Sequence, residues 1–184
     1  TDAAAKVEVE RHTENAANDE AVGVYAINGS KITNGGTVSV GGNKSIGLLG
    51  ISSRVDKGEI IGNEYNQAVG TYGSISINNN GTVTLDGEKA VGIYLENNDT
   101  NNVQNTSLTA RNNGTIEVSG ANATGIAGKE IGSIENDTNG VIKAAKGVGI
   151  YAESSSASTI TNKGTIEAGT DNLGDGVGIF AKSQ

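Results

Sequence analysis

Few side chains in this chain are of types that carry out covalent chemistry. There is no Cys and one His, and 21 Asp plus Glu outnumber 13 Lys plus Arg. His12 stands in the polar stretch ERHTENAANDE with no nucleophile patterned beside it, and reads as a solvated loop histidine. The serines of SSSAS, Ser154 to Ser158, lack the glycine-flanked elbow that exposes a nucleophilic serine and read as a turn before a strand. Cleavage of a polysaccharide on a repetitive β scaffold needs an Arg or Lys base, or acidic residues gathered around calcium. Arg11, Arg54 and Arg111 fall in different repeats instead. DTNGV, DTNN and TDNLGDG contain pieces of calcium loops, but none has the alternating-Asp spacing closed by Gly and a distal Glu. Turn chemistry accounts for them. The expectation is a non-enzyme with no catalytic residue, no metal site and no cofactor.

Binding chemistry is better supplied. Tyr25, Tyr72, Tyr94, Tyr151 and Phe180 each stand two residues after a glycine in segments of the AVGIYA type, and Leu49 and Ala127 occupy the same place in two more. Strict alternation along such a segment turns Val22, Val91, Val148 and Val177 inward together with Val24, Ile93, Ile150 and Ile179. Glycine and ring then face out, giving a row of rings beside a glycine track. An exposed row of this kind is a platform for sugars or for the apolar edge of a protein. Two structural alternatives compete: a loop folds over the row, or the glycine kinks the strand and turns the rings inward. Asn97, Asn98, Asp99, Asn101 and Asn102 interrupt the repeat beside Tyr94 and join the rings as candidate ligand contacts.

The elements that position these residues repeat. NNGTVTLDGEKAVGIYLENN (79–98) returns as NNGTIEVSGANATGIAG (112–128) and, degraded, as TNGVIKAAKGVGIYAESS (138–155). Gly36, Gly58, Gly81, Gly114, Gly140 and Gly164 mark a period of roughly 22–24 residues, with insertions near 96–106 and 170–175. Each period holds three short strands, of the types SISI, GTVTL and AVGIY. In the second, Val38, Ile60, Val83, Ile116, Ile142 and Ile166 share the core face, while the Thr column of Thr37, Thr82, Thr115 and Thr165 faces water. Asn34, Asp56, Asn79, Asn112 and Asn162, two residues before the glycine, are placed for a ladder along the axis. This pattern specifies an all-β, parallel β-helix of about 7 coils over residues 1–184, residues 1–20 forming an incomplete or irregular first coil. By analogy with folds of this period it is right-handed.

Composition agrees: 28 Gly and no Pro, Cys, Met or Trp suit a thin column of Val, Ile and Ala. A net charge of -8 lacks the basic face that nucleic acid or an anionic membrane needs. No apolar run reaches the length of a bilayer span.

The recurring NNGTI.V.G....VGIY, with S.I.N before it, resembles the passenger domains of fusobacterial-type large autotransporter adhesins, secreted by the type Va route. The resemblance covers nearly the whole chain from Ala21 onward. It implies a protein displayed outside a bacterial outer membrane, tethered through a C-terminal translocator, that attaches to host-cell receptors, glycans or other bacteria. On this reading the chain is a monomeric segment of a longer passenger. A passive stalk presenting a distal binding domain is the alternative, and a β-helical polysaccharide lyase or hydrolase the weaker one. The breaks in the Thr column at Glu59 and Val141 and its neighbouring Glu and Lys argue against a flat ice-matching array.

Overall fold

The computed structural model describes residues 5–10, 20–53, 60–61, 64–65, 72–98, 107–169 and 176–183. Its strands visit three parallel sheets, A, B and C, in rotation. The first coil runs β1 (Lys6–Val9), β2 (Val22–Ile27) and β3 (Lys31–Asn34); the second runs β4 (Thr37–Val40) and β5 (Ile46–Ser52). A short hairpin, β6 (Ile60–Ile61) with β7 (Glu64–Tyr65), then precedes β8 (Ile75–Asn79), which completes that coil. The third holds β9 (Thr82–Leu85), β10 (Val91–Asn97) and β11 (Leu108–Asn112), the fourth β12 (Thr115–Val118), β13 (Thr124–Lys129) and β14 (Ser133–Asn136). The fifth holds β15 (Val141–Ala144), β16 (Val148–Ser154) and β17 (Thr159–Asn162), and β18 (Thr165–Ala168) and β19 (Val177–Ser183) follow. Sheets A and B have 6 strands and sheet C has 5, each strand paired with its equivalent in the next coil. The fold is a parallel β-helix.

Alternation builds the core. In sheet A, Val38, Val83, Ile116 and Ile142 stack in one register and each is 0% exposed. Two residues on, Val40, Leu85, Val118 and Ala144 form a second buried column. Sheet C adds Ile77, Ala110 and Ile134, and sheet B adds Leu48, Ile93, Ile126 and Ile150. Rungs about 4.8 Å apart let these branched side chains touch along the axis.

Where sheet C turns into sheet A, the inward position is asparagine. Asn34, Asn79, Asn112 and Asn136 each donate from Nδ2 to the Oδ1 of the next ladder residue at 2.8 Å, ending on Asn162. The same amides donate sideways to carbonyls of the next coil, as Asn79 does to Thr115 O at 3.3 Å. Asn79, Asn112 and Asn136 each give and receive along the ladder, which satisfies polar groups that burial would otherwise penalise.

The stack corrects the expected number of coils. About seven coils were expected, one of them at Gly58 to Tyr72. Instead β4 pairs directly with β9, β5 with β10 and β3 with β8, so sheets A and B hold six rungs. Ile60, expected in the sheet A core, belongs to the antiparallel hairpin, with Ile60 opposite Tyr65. The residues in between lack what a rung requires. Asp56 stands where the ladder needs a group that donates as well as accepts, and a carboxylate cannot donate. Gly62 and Thr71 stand where the other coils put Val40 or Leu85 and Leu48 or Ile93. The true fourth member of the ladder is Asn136, which the glycine-based spacing passes over. Residues 1–20, expected as an irregular first coil, contribute β1, with Val7 opposite Val38 and Val9 opposite Val40. His12, Arg11, Arg54, residues 99–106 of the insertion expected near 96–106, and the insertion expected near 170–175 lie outside the described residues.

Candidate functional site

The outward face of sheet B is where the candidate residues gather, and glycine decides which side chains reach it. A Cβ on Gly92 would lie 2.4 Å from Ile116 Cγ2 and 2.5 Å from Gly125 O. A Cβ on Gly149 would meet Ile166 Cγ2 at 2.4 Å. The glycine column therefore faces the core, pressed against sheet A, and the residue after it, Ile93 or Ile150, is buried as well. Two successive residues facing inward break the alternation and reverse its parity. The expected glycine track is thus inside. Val22, Val91, Val148 and Val177, expected inside, stand outside, with Val22 37% and Val177 41% exposed.

The rings remain outside too. Tyr25, Leu49, Tyr94, Ala127, Tyr151 and Phe180 form one column in continuous register. Tyr25 and Phe180 are 43% exposed, Tyr94 and Tyr151 partly exposed, and Leu49 and Ala127 lie low between them. Tyr151 and Phe180 stack with centroids 5.5 Å apart and planes within 3°. Tyr72 does not belong to the row: it is half-buried ahead of β8, outside sheet B. Asn97 ends β10 on the inward side and is 1% exposed, so it is not a surface contact. Asn98 is exposed, its backbone N–H donating to Ser52 O at 2.8 Å. Asp99, Asn101 and Asn102 lie outside the described residues.

Beside the rings runs a column that the pattern of rings alone does not reveal: Ile27, Ile51, Glu96, Lys129, Glu153 and Lys182. Tyr94 OH donates to Glu96 Oε2 at 3.2 Å, and the other oxygen of Glu96 meets Lys129 Nζ at 2.9 Å. Tyr151 OH donates to Glu153 Oε2 at 2.5 Å, and Glu153 Oε1 meets Lys182 Nζ at 3.2 Å. The unit Tyr–Glu–Lys thus occurs twice, two coils apart. Burial, then the neighbouring Glu96 charge, push the Tyr94 phenol well above its ordinary value, and the hydrogen bond to Glu153 raises that of Tyr151. Both phenols hold their protons at neutral pH. The signal for this column was legible as YLEN, AGKE, YAES and FAKS, a charge of alternating sign two residues after each column position.

The sheet B to sheet C corner borders this face. β5 ends there at Ser52 and its neighbour β10 at Asn97. Two coils further, the SSSAS turn is held by Glu130, whose carboxylate accepts from Ser155 N at 2.9 Å and Ser155 Oγ at 2.9 Å. This is turn chemistry, as expected for those serines. Asp137 of DTNGV likewise accepts from Thr138 N at 2.8 Å and pairs with Arg111. Among the described residues, no group of three or more His, Cys, Asp or Glu could hold a metal ion.

Fold and face together define a β-solenoid that displays a partly aromatic sheet. No family model, no curated protein and no solved structure matches the chain.

Proposed function

We propose that this β-helix is an adhesive segment of a passenger displayed outside a bacterial outer membrane, attaching to host-cell receptors, to glycans or to other bacteria. The observation that supports this reading is the outward face of sheet B. Tyr25, Tyr94, Tyr151 and Phe180 share one open column, beside the corner that follows β5 and β10, where the β6–β7 hairpin intervenes before β8. Rings with amphipathic edges give large contact area at low entropic cost, and loops on a rigid scaffold give selectivity. A scaffold that only separates two domains has no use for either.

The test is binding of the labelled chain to a glycan array and to host and bacterial cells, beside a Tyr94→Ser/Tyr151→Ser variant. Saturable binding that falls at least about tenfold in a variant with an unchanged melt is the expected result, corresponding to about 1.4 kcal/mol. A well-folded parent that binds nothing reassigns the chain to a passive stalk.

A further inference from the structure

We propose that the last four coils of sheet B are a self-complementary face on which a second copy of the chain packs antiparallel. This goes beyond the adhesive reading and does not depend on it.

The charged column reads Glu96, Lys129, Glu153, Lys182, negative and positive in turn along the axis. Consider a two-fold axis in the plane of the face, parallel to the strands and passing between the rungs of Lys129 and Glu153. It lays the column on itself in reverse order. Glu96 then meets Lys182 of the second copy, and Lys129 meets Glu153, so all four contacts join opposite charges. A parallel pair with its two-fold axis along this column would set Glu on Glu and Lys on Lys, which is repulsive.

Shape selects the same arrangement. In the ring column, the reversal puts Tyr94 opposite Phe180 and Tyr151 opposite Ala127. The smallest side chain of the column, itself 7% exposed between taller neighbours, thus receives a ring. A parallel pair with its two-fold axis along the ring column would set Tyr151 on Tyr151 and leave a void at Ala127. The third outward column, Val91, Thr124, Val148 and Val177, pairs Val91 with Val177 and is apolar except for Thr124. Such an isologous contact closes on itself as a pair.

Its size sets its strength. Four rungs about 4.8 Å apart, with strands of up to seven residues at about 3.3 Å each, give a footprint of roughly 400 Å² per copy. Stable partners bury about 800 Å² each, so the pair is weak and forms only at high local concentration.

Sedimentation equilibrium from about 10 µM to about 1 mM reads the association directly. The parent is expected to form dimers within this range. Lys129→Glu and Glu153→Lys each turn the central contact, which occurs twice by symmetry, into like charges, and each is expected to weaken dimerisation at least tenfold. Mixing the two variants in equal amounts restores it, because Glu faces Lys at both central contacts of the mixed pair. The intrachain ion pairs these substitutions remove are at the surface and contribute little to folding. Ala127→Tyr fills the recess without altering charge and is expected to weaken pairing as well. A parent that stays monomeric throughout, single variants that dimerise like the parent, or a mixture that stays monomeric overturns the proposal.

Discussion

Two columns of like residues run the length of this β-helix, and they obey different rules. The asparagine ladder at the sheet C to sheet A corner is buried, and from Asn34 to Asn162 every described coil that reaches it supplies Asn. The ring column on sheet B is exposed, and Leu49 and Ala127 interrupt it. A ladder rung must donate to one neighbour and accept from the other, so only a side chain with both groups serves, and one wrong rung unsatisfies two more. A ring on an open face only touches its neighbours, and a smaller residue there costs little contact. Uniformity inside therefore reports folding, whereas variation outside leaves room for recognition.

The sharpest way to break that contrast is Asn112→Asp. Asn112 accepts from Asn79 and donates to Asn136 Oδ1 at 2.8 Å and to Val141 O at 3.4 Å. A carboxylate sets oxygen against both acceptors. Rotating Asn136 to compensate removes its own bonds to Gly140 O and Thr165 O, both at 3.2 Å. A loss of about 3 to 5 kcal/mol is expected at neutral pH, read by chemical denaturation. The sign of its pH dependence is diagnostic. The protonated carboxyl donates, so the folded state raises its pKa above the ordinary value of about 3.9, and stability returns as pH falls through that raised value. A deficit that does not shrink on acidification would show that the ladder's donors are dispensable.

A smaller effect separates the inner glycine column from its end. Gly92→Ala brings Cβ to 2.4 Å from Ile116 Cγ2 and against the Gly125 carbonyl, whereas a Cβ on Gly178 meets nothing within 4 Å. Gly92→Ala should cost about 1 to 3 kcal/mol and Gly178→Ala less than about 0.5 kcal/mol. Equal melting temperatures for the two variants would contradict the inward packing of the glycines.

These glycines also mark where the sequence misleads. Strand type, sheet succession and most of the core follow from period-2 alternation, because in sheets A and C nothing interrupts it. In AVGIYA a residue without a side chain lets sheet A press close, two inward residues follow one another, and the parity of Val91 is opposite to its pattern. A single chain shows the glycine but not what presses on it. Asn136 escapes because Asp137 and Thr138 lengthen its turn, so counting back from Gly140 lands on Thr138. Residues 54–72 imitate a coil in their glycine spacing, and what betrays them is polarity: Asp56 at a donor position, Gly62 and Thr71 at core positions. The alternating charges after the rings were visible, but they gain meaning only once register places them in one column.

The smallest expected effect bears on the exposed column itself. Tyr94 is the ring most enclosed by its surroundings, and its hydroxyl donates to Glu96, so the folded state favours the protonated phenol. A pKa raised above the ordinary 10.0 contributes stability that is complete below pH 10.0 and is lost as pH rises through the folded value. Tyr94→Phe removes one hydrogen bond from a half-exposed site, costing about 0.5 to 1 kcal/mol at neutral pH. It also removes a proton that the folded state holds, so its stability declines less steeply than the parent's in strongly alkaline solution. The decline is reduced and not abolished, because the Tyr151 and Tyr25 phenols are raised as well. Denaturation curves collected on either side of pH 10.0 compare the two slopes. Parallel slopes would mean that the Tyr94 phenol loses its proton as readily folded as unfolded, and the distinction between a partly enclosed ring and an exposed one would collapse.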